Sequence, residues 1–101
     1  MGNNTQQGKS MTNPASVEIY TTRTCPYCIS AKSLLQRKGA PFTEVDIGAQ
    51  PELRSEMMQR AMGRRTVPQI FIGGRHIGGS DELHALEREG KLEPLLNGSV
   101  A

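Results

Sequence analysis

Between Val17 and Leu96 the apolar residues switch repeatedly between two spacings. Val17, Ile19 and Thr21 alternate with Glu18 and Tyr20, the two-residue period of a strand, and the run predicts a strand central in a sheet. Cys28, Ala31, Leu34 and Leu35 then recur at helical spacing. Thr24 is placed to cap this helix, with Cys25 at its start. Pro26 suits the first turn, where a missing N–H costs nothing. Arg37 and Lys38 suit the negative end of the helix, and Gly39 ends it.

Phe42, Glu44 and Asp46 alternate with Thr43, Val45 and Ile47, which predicts a second strand closed by Gly48. Strand, helix, strand implies a right-handed crossover and parallel pairing. Pro51 opens a second helix with Leu53, Met57 and Ala61 on one stripe and Met58 and Met62 beside it. Gly63 ends it. This methionine-rich face reads as core filling rather than a binding groove. Val67–Ile72 predicts a strand, Gly73-Gly74 a two-residue hairpin turn, and Arg75–Ile77 the returning strand. Ser80 or Asp81 caps a third helix carrying Leu83 and Leu86. Gly90 interrupts it, and Leu92, Leu95 and Leu96 dock a last helical segment. The order β-α-β-α-β-β-α predicts a four-stranded mixed sheet flanked by helices, the small thioredoxin-like α/β architecture.

Residues 1–16 are mostly Asn, Gln, Thr, Ser and Gly, too polar to offset the entropy of ordering, and are expected to form a flexible N-terminal tail. The domain is expected over 17–96, with a frayed C-terminal tail over 97–101. A chain of 101 residues is one domain. Its net charge of +2 comes without long basic runs, and Trp is absent, so neither a phosphate-tracking nor a base-stacking surface is expected. No apolar run is long enough for a membrane helix, and the N-terminus has no signal-peptide pattern. Met1-Gly2 lacks the Ser or Thr that myristoylation needs at position 6, which is Gln6. A cytoplasmic protein without nucleic-acid or membrane partners is expected.

The only two cysteines, Cys25 and Cys28, lie at the first strand-to-helix junction. Two are too few for a secreted disulfide scaffold, and a Cys-x-x-Cys at such a junction is a redox pair first and a metal pair second. Structural zinc wants four ligands, and His76 and His84 are eight residues apart with no further cysteine, so no metal is expected. Only a thiolate attacks a disulfide, and a free thiol with a pKa of about 8.5 is only a few per cent ionised at neutral pH. The positive end of the helix lowers the pKa of Cys25, and Arg23 is close enough in sequence to add to that. Cys28, one turn further in, is expected to be more buried. Cys25 is then the attacking nucleophile and Cys28 the resolving thiol.

With Thr24-Cys25-Pro26-Tyr27-Cys28, Thr66-Val67-Pro68 and Gly78-Gly79-Ser80-Asp81 in this order and spacing, the chain resembles the dithiol glutaredoxins, and within them the bacterial glutaredoxin 3 type. The resemblance runs from about Val17 to Leu96. It implies a glutathione-dependent thiol–disulfide oxidoreductase, acting on protein–glutathione mixed disulfides and protein disulfides, with ribonucleotide reductase among the family's substrates and a monomer as the working form. It implies a cis peptide before Pro68, with the Val67 backbone pairing with the cysteine unit of glutathione. It places Gly79, Ser80 and Asp81 around the γ-glutamyl end, with a plain helix cap as the alternative role for Asp81. Tyr27 and Thr66 line the groove, and Pro26 stiffens the active-site turn. Relatives usually carry Lys where this chain has Thr22, so Arg23, Arg64 or Arg65 is left to meet the glycine carboxylate of glutathione. A dimer bridging an iron–sulfur cluster is disfavoured by Pro26, and coupling to thioredoxin reductase by Tyr27 and the Gly79–Asp81 context.

Overall fold

The alternation of Val17–Thr21 becomes a strand, β1, and the helical spacing after it becomes α1, Pro26–Arg37. These belong to a computed structural model that describes residues 15–98. The remaining elements are β2 (Thr43–Asp46), α2 (Leu53–Arg60), β3 (Gln69–Ile72), β4 (Arg75–Gly78), α3 (Ser80–Arg88) and α4 (Leu92–Leu96). The sheet order is β2-β1-β3-β4, with β1 and β2 parallel and the other neighbours antiparallel. The expected thioredoxin-like α/β fold is therefore present, with β1 inside the sheet.

The sheet is covered on both faces because both sets of alternate residues are apolar. Val17 and Ile19 of β1 and Ile70 and Ile72 of β3 pack with Ala31, Leu34 and Leu35 of α1, Leu83 of α3, and Leu92 and Leu96 of α4. Tyr20 and Phe71 face the other way, onto Met57 and Ala61 beside Ile47. Polar groups on that face are paired. The Arg60 guanidinium donates to Glu18 at 2.7 and 3.4 Å and to the Tyr20 hydroxyl at 2.8 Å. That hydroxyl donates in turn to Glu56 at 2.6 Å. These contacts fasten α2 to β1 as an amphipathic helix with few apolar residues could not do alone.

Gly39 stops α1 as expected, at a left-handed φ of 69°. The N–H of Gly39 reaches the Gln36 carbonyl and that of Ala40 the Leu35 carbonyl, so the last carbonyls are not orphaned. Gly73 and Gly74, at φ 59° and 79°, make the two-residue turn between β3 and β4, since both central positions of such a turn need positive φ.

Several boundaries differ from the sequence reading. The α2 helix begins at Leu53 rather than Pro51, because Gln50 to Glu52 form a turn closed by Leu53 N–H to Gln50 O at 3.0 Å. Met62 does not join the buried stripe: it has φ 56° and is 83% exposed, so the chain leaves the helix before Gly63. The strand expected from Val67 starts at Gln69, the first residue of this run to pair with β1, opposite Tyr20. Of the expected tails, residues 1–14 and 99–101 lie outside the described residues. Ala15 and Ser16 are tied to the domain: Ala15 N–H donates to Leu96 O at 2.9 Å, and Ser16 O accepts from Gly73 N–H at 2.7 Å. Asn97 and Gly98 still donate to carbonyls of α4.

Candidate active site

The β1 strand delivers the chain to the N-terminus of α1, and the cap there is Cys25, not Thr24. Cys25 is extended (φ −120°, ψ 103°), and its Sγ accepts the Cys28 N–H at 3.1 Å. An Sγ at this position can satisfy a free N–H of the first turn, whereas Thr24 is exposed one residue too early. The two sulfurs form a disulfide, with Cα atoms 5.2 Å apart. Cys28 is 1% exposed and Cys25 7%, the order of burial expected from their positions in the helix. Pro26 occupies the first turn, and Tyr27 projects into solvent at 65% exposure.

Opposite this cap lies Thr66-Val67-Pro68. The Val67-Pro68 peptide is cis, and Cys25 Sγ sits 3.7 Å from the Val67 carbonyl oxygen. A groove of about 280 Å³ is lined by Tyr27, Arg64, Thr66, Val67, Pro68, Gly79, Ser80, Asp81 and Glu82. The structure thus brings three segments far apart in sequence to one groove. Arg23 and Arg65 are exposed and are not among the groove-lining residues, while Arg64 is.

A family model described as glutaredoxin matches residues 17–77. The chain is 56% identical over 82 residues to glutaredoxin 3 of Escherichia coli K12, covering 81% of this chain and 98% of that protein. The solution structure of glutaredoxin from Brucella melitensis superposes with a TM-score of 0.78 at 54% identity, covering 91% and 99% of the two chains. A crystal structure of a buckwheat glutaredoxin–glutathione complex superposes with a TM-score of 0.75 at 33% identity, covering 86% of this chain and 83% of that one. The chain belongs to the glutaredoxin family. Glutaredoxins are glutathione-dependent thiol–disulfide oxidoreductases, and Cys25 and Cys28 form this member's Cys-x-x-Cys pair.

In this glutaredoxin the cap of α3 is Gly79, not Ser80 or Asp81. Ser80 is the first helical residue and is buried; its hydroxyl lies 3.3 Å from His84 Nδ1. Asp81 is exposed and makes no hydrogen bond or ion pair among the described residues, so the plain cap role is excluded for it. His84 is half-buried, with Nδ1 2.9 Å from Ser80 O and Nε2 3.5 Å from Ser30 Oγ of α1. Among the described residues no three His, Cys, Asp or Glu side chains converge where a metal ion could sit.

Two residues at the site escaped the sequence reading, one beneath the groove and one in its lining. Gln69 is fully buried, where an apolar strand residue is the default, and its Nε2 donates to Thr66 O at 3.0 Å. Glu82 reaches back from α3 to accept the Gly79 N–H at 2.7 Å and faces Arg64 at 3.7 Å. The signal for Glu82 was an acidic residue three positions after the cap, hidden while the cap was placed one residue late.

The Gly79 N–H, with further help from Arg64, holds the Glu82 carboxyl below its usual 4.5 despite some burial. A carboxylate whose folded pKa is depressed contributes stability above its unfolded pKa and loses it as pH falls through the folded value. Glu82 therefore adds to stability above about pH 4.5 and ceases to do so on acidification. Glu82→Gln should flatten part of the decline in urea midpoint below pH 4.5; a slope identical to wild type would remove Glu82 from the acid response.

Proposed function

We infer that this glutaredoxin reduces protein–glutathione mixed disulfides, with Cys25 as nucleophile. The Cys25 thiolate attacks the glutathione sulfur, the protein thiolate leaves, and Cys25 holds glutathione as a mixed disulfide. A second glutathione thiolate then attacks that sulfur, releasing glutathione disulfide and the Cys25 thiolate. With an intramolecular protein disulfide, Cys25 forms a mixed disulfide with the protein and Cys28 displaces it, leaving the Cys25–Cys28 disulfide for two glutathiones to reduce.

One observation carries this reading: Cys25 Sγ lies 3.7 Å from the Val67 carbonyl oxygen, and Val67 lines a groove together with Gly79 to Asp81. Along it the Val67 backbone pairs with the cysteine unit, as a short added strand does. The start of α3 and the unengaged Asp81 carboxylate receive the charged γ-glutamyl end. Tyr27 and Thr66 line the walls, and Pro26 stiffens the turn. Of the three arginines open to the glycine carboxylate, Arg64 is favoured over Arg23 and Arg65 because it lines the groove. The buckwheat complex is named for glutathione, which supports the same ligand here. The catalytic domain, 17–96 with Ala15 and Ser16 tied to it, works as a monomer in the cytoplasm, where glutathione is reduced. Ribonucleotide reductase and other disulfide-forming enzymes are its substrates beside glutathionylated proteins.

The test is the choice of reductant. With a glutathionylated peptide as substrate, turnover should follow glutathione regenerated by glutathione reductase. Turnover supported equally by thioredoxin reductase without glutathione would overturn the proposal.

A further inference from the structure

The wall that faces Cys25 is not self-supporting. Thr66, Val67 and Pro68 lie outside any helix or strand, between α2 and β3. What holds this segment is a side chain buried beneath it. Gln69 Nε2 donates to Thr66 O at 3.0 Å and approaches Thr66 Oγ1 at 3.4 Å, so the amide spans the loop from one end to the other. An amide in this orientation leaves its Oε1 inside the protein as an acceptor. His76 Nε2 meets that oxygen at 2.7 Å. Because the Gln69 oxygen can only accept, the His76 proton sits on Nε2 and donates.

His76 is itself fixed. It stands opposite Phe71 in the β3–β4 ladder, and their rings lie 5.1 Å apart at 32°. Burial and the Arg64 charge lower the pKa of its ring and so favour the neutral form, opposed in part by Glu82. The chain of contacts is therefore Phe71 to His76 to Gln69 to Thr66, and it ends one residue from the carbonyl beside Cys25.

We propose that His76 and Gln69 are positioning residues for the thiol–disulfide reaction: His76 orients the Gln69 amide, which clamps Thr66 and so sets the Val67 wall of the groove. Neither touches the reacting sulfurs. The kinetic part of this inference rests on the proposed glutathione groove. Without the His76 donor, the buried Gln69 oxygen is left unpaired, and the amide must flip or the loop must shift to recover a partner.

Four variants test it: His76→Phe, His76→Gln, Gln69→Met and the double variant His76→Phe/Gln69→Met. With a glutathionylated peptide, His76→Phe should raise KM about five- to tenfold, the scale of one buried hydrogen bond left unmade, while kcat stays within about twofold. His76→Gln, whose amide can still donate, should restore KM to within about twofold of wild type. The double variant should be no worse than Gln69→Met alone, because the histidine acts only through the glutamine. Unchanged KM in His76→Phe, or multiplying effects in the double variant, would overturn the proposal. Backbone amide NMR of the substrate-free protein provides a readout independent of the ligand. His76→Phe should shift the Thr66, Val67 and Cys25 signals and His76→Gln should leave them near wild type. If those signals do not move, the clamp does not exist. If they move but the wild-type protein does not process glutathione substrates, the clamp stands and the proposed function fails.

Discussion

Cys25→Ser should reduce glutathione-dependent turnover to background, while Cys28→Ser should keep turning over protein–glutathione mixed disulfides. The asymmetry follows from the geometry. Cys25 Sγ caps α1, receives the Cys28 N–H at 3.1 Å and adjoins the groove, whereas Cys28 is sealed one turn inside at 1% exposure. A serine hydroxyl at position 25 would keep the cap but remain un-ionised, and only an anion attacks the disulfide sulfur. In the proposed cycle Cys28 enters only to displace a protein held on Cys25 as a mixed disulfide. Cys28→Ser should therefore fail on intramolecular protein disulfides, where the mixed disulfide would persist and be visible by mass spectrometry. The check is steady-state reduction of a glutathionylated peptide and of a protein disulfide by each variant. Glutathione-dependent activity surviving in Cys25→Ser would reverse the roles.

Phe71→Ala should cost about 3–5 kcal/mol of stability, the range for removing a buried aromatic ring. Phe71 is 1% exposed, lies in the cluster beneath α2, and meets Tyr20 edge-on with ring centroids 5.8 Å apart. The Arg60 guanidinium lies 4.1 Å from its ring centre. Removing the ring leaves a cavity under β3 and takes away the ring against which Arg60 and His76 both pack. Against a total stability of about 5–15 kcal/mol for a domain of this kind, the loss brings the protein close to unfolding. Urea unfolding would read it as a fall in midpoint at unchanged m value. A loss under about 1 kcal/mol would mean that the site collapses around the gap.

Most of the fold was legible because neighbouring patterns agreed. Val17–Thr21 alternates, Cys28, Ala31, Leu34 and Leu35 follow at helical spacing, and Gly39 and Gly73-Gly74 stand where their positive φ angles are needed. The order of elements then left few ways to pair the strands. The misplaced caps share one cause: Thr24 and Asp81 have the side chains usual for a helix start, but the chain turns into helix at Cys25 and Gly79. A cap is a backbone conformation before it is a residue type, and residue type is what a sequence displays. Met62 failed for a related reason, since helical spacing does not mark where a short helix lets go. Cys25 and Cys28 were legible from their spacing and placement. The groove became legible only through the resemblance, because nothing local links Thr66-Val67-Pro68 to a cysteine some forty residues earlier. The Gln69–His76 contact was beyond reach, since it depends on the hairpin register that sets the two side chains within 2.7 Å.

The Cys28 N–H that caps with the Cys25 sulfur matters for departure as much as for attack. In thiol exchange the sulfur best able to carry negative charge is also the one most readily expelled. In the proposed cycle, when glutathione strikes the mixed disulfide on Cys25, the same N–H and the same helix terminus would receive the charge that is released. On that proposal the cap makes Cys25 a good leaving group, and the intermediate is released by the interaction that let it form. The cost is reducing power: a protein that stabilises its own thiolate holds its electrons more tightly, and so relies on the surrounding glutathione pool to keep the cycle turning.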